Sequence, residues 1–141
     1  MIMKRLLTLD FIPVNADLAL LLIRVWFCLS LFVKHGIEKV THYNEMLSKF
    51  PDPIHVGPTV GLIFALISDF VCSFLIIIGL GTRLAAFFMV INLLVVFTFM
   101  HQFSFMQEHA ELVYLYLGLA IFVLIAGAGK YSMDNKLFRN S

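Results

Sequence analysis

Residues 60–80 read VGLIFALISDFVCSFLIIIGL, a run of 21 residues in which Asp69 is the single charge. At a rise of about 1.5 Å per residue, a helix of this length crosses the roughly 30 Å hydrocarbon core of a bilayer. Comparable apolar runs occupy residues 18–34, 84–103 and 111–129, and each is bounded by charged, glycine or proline residues. The pattern therefore predicts four transmembrane helices.

The composition agrees with a membrane protein and leaves little room for a soluble domain. Of 141 residues, 61% are hydrophobic and 13% are charged, whereas soluble domains are about 45 to 50% apolar. The net charge of +1 and the lack of a basic run exclude nucleic acid as a partner, since phosphate binding needs clustered Lys and Arg. We expect one domain over residues 1–141, an all-α bundle of four transmembrane helices embedded in the lipid bilayer.

Residues 35–59 are expected to form an outer loop that contains a short helix lying in the membrane interface. Apolar residues recur there at helical spacing among polar ones, until three prolines end the pattern. The apolar positions are Ile37, Val40, Met46, Leu47 and Phe50.

Lysine and arginine residues predict the orientation of the bundle. With four spans, six of these basic residues fall on the side of the termini and three on the other side. The positive-inside rule places the richer side in the cytoplasm, so both termini are predicted to be cytoplasmic. The cytoplasmic set is Lys4, Arg5, Arg83, Lys130, Lys136 and Arg139, and the outer set is Lys34, Lys39 and Lys49.

Two charges lie inside the predicted membrane helices. Arg24 and Asp69 both fall roughly 14 to 15 Å below the outer ends of the first two helices, so they are expected to meet. An unpaired charge at that depth costs about 2.5 to 3.5 kcal/mol, which a structural ion pair or one shared ligand would remove. Cys28 and Cys72 differ in depth by more than a disulfide can span, so no disulfide is expected.

A second polar cluster is expected at the outer membrane surface. His35 ends the first predicted helix, His101 lies near the end of the third, and Glu111 opens the fourth. Tyr114 follows one turn later. Imidazole and carboxylate groups bind metals, transfer protons or hydrogen-bond a quinone carbonyl. The residues do not decide among these roles, and an ordinary solvated surface is a further alternative. No H-x-x-x-H spacing supports a metal, and we predict none.

Several short motifs follow one another in an order typical of a known membrane protein family. They are Arg24, His35-Gly36-x-x-Lys39, Asp69, Gly79-x-Gly81-Thr82-Arg83-Leu84-Ala85-Ala86, His101, Glu111 and the closing Gly127-Ala128-Gly129-Lys130-Tyr131-Ser132-x-Asp134. From about Leu18 to Asp134, the chain resembles the DoxX family. The resemblance implies a four-helix protein of the bacterial inner membrane.

The resemblance also implies a function. Some members of the DoxX family are subunits of a thiosulfate:quinone oxidoreductase, and another is linked to a membrane oxidoreductase complex in thiol and oxidative-stress defence. The matching positions are Arg24, His35, Gly36, Lys39, Asp69, Arg83, His101, Glu111 and Asp134. The chain departs from the family at two positions. Asp69 stands where the family usually has Glu, and Cys28 stands where Gly is common, so no relative's substrate is assigned to this chain. A contact between Arg83 and Asp134 is expected on the cytoplasmic side.

We predict a membrane subunit of a quinone-linked oxidoreductase system that holds a quinone, or a small sulfur or thiol compound, in the outer half of the bundle. The expected catalytic residues are His35, His101 and Glu111, and the expected ligand-binding residues are Arg24, Asp69, Lys39 and Tyr114. No flavin or dinucleotide fingerprint is present, so electrons would come from a redox partner subunit or from the bound substrate. The alternative hypothesis is a non-enzymatic assembly or anchoring subunit, or a small transporter acting as a homodimer. The sequence alone therefore leaves open whether the chain is an enzyme.

Overall fold

The computed structural model describes residues 3, 7–9 and 11–138 of the chain. Within these residues the structure is all-helical and has no strand, which confirms the all-α part of the predicted fold class. From residue 16 onward the helices are α1 (Ala16–Thr41), α2 (Tyr43–Lys49), α3 (Pro58–Ile78), α4 (Thr82–Met100), α5 (Ala110–Ala126) and α6 (Met133–Phe138). Lys4, Arg5 and Arg139, which contribute to the predicted orientation, lie outside the described residues.

Three helices in this part of the chain are long and apolar enough to cross a membrane. They are α1 with 26 residues, α3 with 21 and α4 with 19. Helix α5 is also apolar, but its 17 residues give only about 25 Å of helix, so the fourth span stays a prediction. Helix α2 lies between the first two long helices, where the sequence predicts a short helix, and its position in the membrane interface also stays a prediction.

Helix α1 continues further than hydropathy indicates. It ends at Thr41, seven residues beyond the predicted end at Lys34, and it includes a π-helical turn over Leu31–Gly36. At its other end, the side chain of Asn15 accepts a hydrogen bond from the amide of Leu18 at 3.0 Å and so caps the helix. Much of the predicted outer loop is therefore helical.

The long helices and α5 form an antiparallel bundle. Helix α1 packs against α3 and α5, α3 packs against α4, and the most extensive contact joins α4 to α5. The core contains small and medium-sized side chains, whose fully buried members include Cys28, Ile76, Ala86, Met89 and Val123. Helices α1 and α3 lie in close contact at Gly36, where an added Cβ would lie 2.8 Å from the backbone oxygen of Asp69.

Arg24 helps to close one end of the bundle. Its guanidinium donates hydrogen bonds to the backbone oxygens of Ala128 and Tyr131, in the segment that follows α5. Gly79 ends α3 beside it with a left-handed φ of +74°, and a Cβ there would lie 2.7 Å from the Nη1 atom of Arg24. Arg24 therefore holds the C-terminal segment against α1 and α3.

The expected pairing of Arg24 with Asp69 is wrong, because Asp69 meets a later part of α1. Gly36 lies against the backbone of Asp69, and Arg24 precedes Gly36 by 12 residues, which is about 18 Å along the helix axis. The two charges are therefore at different depths in the bundle.

The expected contact between Arg83 and Asp134 is also wrong. The carboxylate of Asp134 accepts hydrogen bonds from the amides of Gly81 at 2.7 Å and Thr82 at 2.9 Å, so it caps the start of α4. Arg83 instead donates from Nε to the backbone oxygen of Leu124 at 3.1 Å. Asp134 thus joins the start of α4 to the C-terminal segment at this end of the bundle.

Candidate functional site

A cavity of about 810 Å³ lies at the other end of the bundle, which we call the α2 end. It is lined by α1, α2, the segment after α2, and parts of α3, α4 and α5. Most of its wall is apolar, with side chains such as Phe50, Phe64, Ile91, Val96 and Leu112. The volume falls within the range of about 300 to 1,000 Å³ that is usual for small-molecule sites.

Three polar side chains meet in the wall of this cavity, and we call them the buried ion-pair cluster. The Nζ atom of Lys39 lies 2.8 Å from the Oδ2 atom of Asp69, and the two residues are only 8% and 6% exposed. The side-chain amide of Asn92 donates to the other carboxylate oxygen, Oδ1, at 3.4 Å. Lys39 also donates to the backbone oxygen of His35 at 3.4 Å. The cluster thus supplies the neutralising partner that a charge buried in a membrane requires.

Local backbone geometry brings the cluster together. Helices α1 and α3 each contain a π-helical turn here, over Leu31–Gly36 and Ile67–Cys72, and such turns often occur at functional sites. Since Gly36 has no side chain, α1 can lie against the backbone of Asp69. Lys39 follows Gly36 by three residues and therefore lies on the same face of α1, which directs its ammonium group towards α3.

An imidazole and a phenol also line the cavity. The half-buried ring of His35 lies edge-on to the ring of Tyr116, with 6.4 Å between ring centroids. The hydroxyl of Tyr116 is hydrogen-bonded to Ser30 Oγ at 2.8 Å, which fixes the phenol in place. A ligand in the cavity would therefore be close to hydrogen-bonding groups from α1, α3, α4 and α5.

The structure divides the site residues predicted from the sequence into two groups. His35, Lys39 and Asp69 line the cavity. Arg24 lies at the opposite end of the bundle, bonded to the backbone of the C-terminal segment.

His101, Glu111 and Tyr114 do not join His35 in lining this cavity, contrary to the expectation of one shared cavity. Helix α4 ends at Met100, and the connection to α5 turns through several residues with positive φ. Within that connection, Nδ1 of His101 lies 3.3 Å from the side-chain oxygen of Gln107. The ring of Tyr114 packs on aromatic side chains, and Glu111 is exposed.

Sequence reasoning missed Asn92, Tyr116 and His109, all of which line the cavity. Asn92 offered a signal, because an amide within an apolar membrane helix needs a hydrogen-bonding partner. Tyr116 and His109 offered none, since only the rotation of α5 and the shape of its entry loop bring them to the cavity.

The described residues also bear on metal binding and on disulfide formation. Among the residues that the structure describes, no three His, Cys, Asp or Glu side chains are grouped so that they could hold a metal ion. Cys28 and Cys72 are both free and buried in the bundle.

Comparison with known proteins identifies the family. A family model described as DoxX matches residues 19–102, which is more than half of the chain and includes the whole buried ion-pair cluster. The chain belongs to the DoxX family. An uncharacterized protein of Haemophilus influenzae is 31% identical over 119 residues, which cover 77% of this chain and 84% of that protein. No solved structure matches the chain.

Membership in the DoxX family agrees with the helices of the bundle. The matched span covers almost all of α1 and the whole of α3 and α4, which are the three helices able to cross a membrane. This DoxX-family chain is therefore a multi-pass membrane protein.

Proposed function

We propose that this DoxX-family chain is the membrane subunit of a quinone-linked oxidoreductase system and binds a quinone in the cavity at the α2 end. The observation that carries the proposal is a buried ion-pair cluster in the wall of a largely apolar cavity. A quinone also combines polar and apolar parts, because its two carbonyl oxygens accept hydrogen bonds whereas its tail is apolar. Sites of this kind combine apolar walls with a few fixed polar groups.

Each polar residue has a role in this proposal. The ammonium group of Lys39 has three N–H donors; Asp69 and the backbone of His35 accept from it, and a third donor can serve a quinone oxygen. Asp69 orients Lys39, and Asn92 in turn orients Asp69. The side chains of His35 and Tyr116 provide further donors from the neighbouring wall.

Quinone reduction requires two electrons and two protons. The chain has no flavin or dinucleotide fingerprint, so the electrons come from a redox partner subunit that oxidises a small sulfur or thiol compound. This chain then binds the quinone, excludes water around it and supplies protons. The proposal includes four spans in a bacterial inner membrane, cytoplasmic termini, and an α2 end at the outer surface with α2 in the interface.

The test is quinone binding by the protein purified in mild detergent. Native mass spectrometry would detect a co-purified quinone, and titration with decylubiquinone would give its affinity. Loss of one hydrogen bond in His35→Ala or Tyr116→Phe should weaken binding about fivefold. The matched control Lys34→Met changes an exposed residue of α1 outside the cavity and should bind as the wild type does.

Two results would contradict the proposal. A wild-type protein that carries neither quinone nor redox partner from native membranes would favour the anchoring or transporter hypothesis. Loss of binding in His101→Ala, with full binding in His35→Ala, would move the site to the outer cluster predicted from the sequence.

A further inference from the structure

A stripe of ionisable side chains leads from the buried ion-pair cluster towards the surface at the α2 end. Its members follow one another at spacings of three or four residues along α1 and α2, and all of them line the cavity: His35, Lys39, His42, Glu45 and Lys49. Residues with this spacing share a helix face. His42 lies at the break between α1 and α2, where its amide donates to Glu38 O and its own backbone oxygen accepts from the Met46 amide, so the stripe continues from one helix to the next.

Exposure increases along the stripe from Lys39 to the α2 end. Lys39 is buried and His42 is exposed, while His35, one turn deeper in α1, is half-buried. At the far end, Lys49 and Glu45 form an ion pair at 3.4 Å whose side chains are 76% and 65% exposed. Further titratable groups face the stripe from its own helix and from the other walls, namely Glu38, Asp52, Asp69, His109 and Tyr116. The stripe therefore connects a buried charge with solvent through groups that can exchange protons.

A fixed cation lies at the other end of the bundle. The Arg24 residue is only 1% exposed, and its guanidinium is held by the backbone oxygens of Ala128 and Tyr131. A buried arginine in a membrane pathway opposes the passage of protons by electrostatic repulsion. Among the residues that the structure describes, the ionisable stripe that reaches the ion-pair cluster lies on the α2 side.

We infer that this stripe is a proton relay that connects the cavity with the aqueous phase at the α2 end. The inference rests on the proposed quinone-binding function and adds the face of the membrane from which the protons come. A quinone takes two electrons from the redox partner subunit and two protons from the stripe to become a quinol. Lys39 Nζ gives one proton to the reduced quinone oxygen beside it and takes a proton back from His42 on the α2 side, and His35 passes the second proton to the other oxygen.

Cysteine labelling in oriented membrane vesicles tests this route. Single variants His35→Cys, His42→Cys and Glu45→Cys would be exposed to a membrane-impermeant cationic methanethiosulfonate on one face at a time. The wild type is the blank, since both of its cysteines are buried. Lys136→Cys, exposed on α6, marks the opposite face. We expect the three stripe variants to be labelled only from the α2 face and Lys136→Cys only from the other.

The outcomes separate the relay from the proposed function. Labelling of His35→Cys from the opposite face, or its complete absence while Glu45→Cys is labelled, overturns the relay. Excess decylubiquinone should slow the labelling of His35→Cys but not of Glu45→Cys. One-sided labelling without such protection would support the aqueous route and count against quinone binding.

A second measurement records the protons themselves. In vesicles that hold the native complex, a pH dye on the α2 face should report proton uptake during quinone reduction. His42→Gln should slow this uptake, whereas His55→Gln, an exposed histidine that does not line the cavity, should leave it unchanged. Uptake from the opposite face, or an unchanged rate in His42→Gln, would overturn the relay.

Discussion

Replacing Lys39 with Met is expected to lower the free energy of unfolding by about 3 to 5 kcal/mol, because it leaves a carboxylate buried without its cation. The two side chains of the pair are 10% and 8% exposed and lie 2.8 Å apart, so water replaces little of the interaction that Lys39 makes. The contact from Asn92 to Asp69 is 3.4 Å long and compensates little.

The chain contains a matched control for this substitution. Lys49 forms the same kind of ion pair with Glu45, but the side chains are 76% and 65% exposed. Lys49→Met removes the same chemical group from a solvated pair, so its effect should stay below about 1 kcal/mol. The difference between Lys39→Met and Lys49→Met therefore isolates the effect of burial.

The native cysteines provide the assay. Cys28 and Cys72 are free and buried, so a dye that becomes fluorescent on reaction with thiols reports unfolding during a thermal ramp in detergent. A loss of about 3 to 5 kcal/mol corresponds to a decrease in Tm of roughly 10 to 20 °C.

Two results would refute the reasoning. A Tm of Lys39→Met equal to that of Lys49→Met would show that the buried pair contributes no more than an exposed one. The double variant Lys39→Met/Asp69→Leu removes both charges and should recover most of the lost stability. If it unfolds as early as Lys39→Met, the loss comes from packing and not from an unpaired charge.

The same assay checks three further predictions about packing and capping. Gly36→Ala should destabilise the bundle strongly, because its Cβ would lie 2.8 Å from a backbone oxygen of α3; Gly118→Ala, with nothing within 4 Å, should be neutral or more stable by up to about 1 kcal/mol. Asp134→Ala removes the cap of α4 and should cost about 0.5 to 2 kcal/mol, with a smaller loss in Asp134→Asn. Arg24→Met should cost about 1 to 3 kcal/mol for each backbone oxygen left without a donor. An unchanged Tm in any of the three destabilising variants would contradict the contact assigned to that residue.

Several properties of this protein follow from its sequence alone. The length and low charge of the apolar runs determine a helical membrane protein, because a backbone in lipid must satisfy its own hydrogen bonds. The motif order from Arg24 to Asp134 was enough to indicate the DoxX family, which the family match confirms. His35, Lys39 and Asp69 were also identified as candidate site residues, and all three line the cavity.

Tertiary structure alone decided which charges pair. Hydropathy ends the first helix at Lys34, since it averages over polarity and does not detect that polar residues continue the helix to Thr41. In the packed pair Gly36 lies against the backbone of Asp69, so Arg24 is 12 residues, about 18 Å along the axis, from that level, and Lys39 reaches the carboxylate. The register between two helices depends on close approach and on turns such as those at residues 31–36 and 67–72, which are properties of the packed pair and not of either sequence segment.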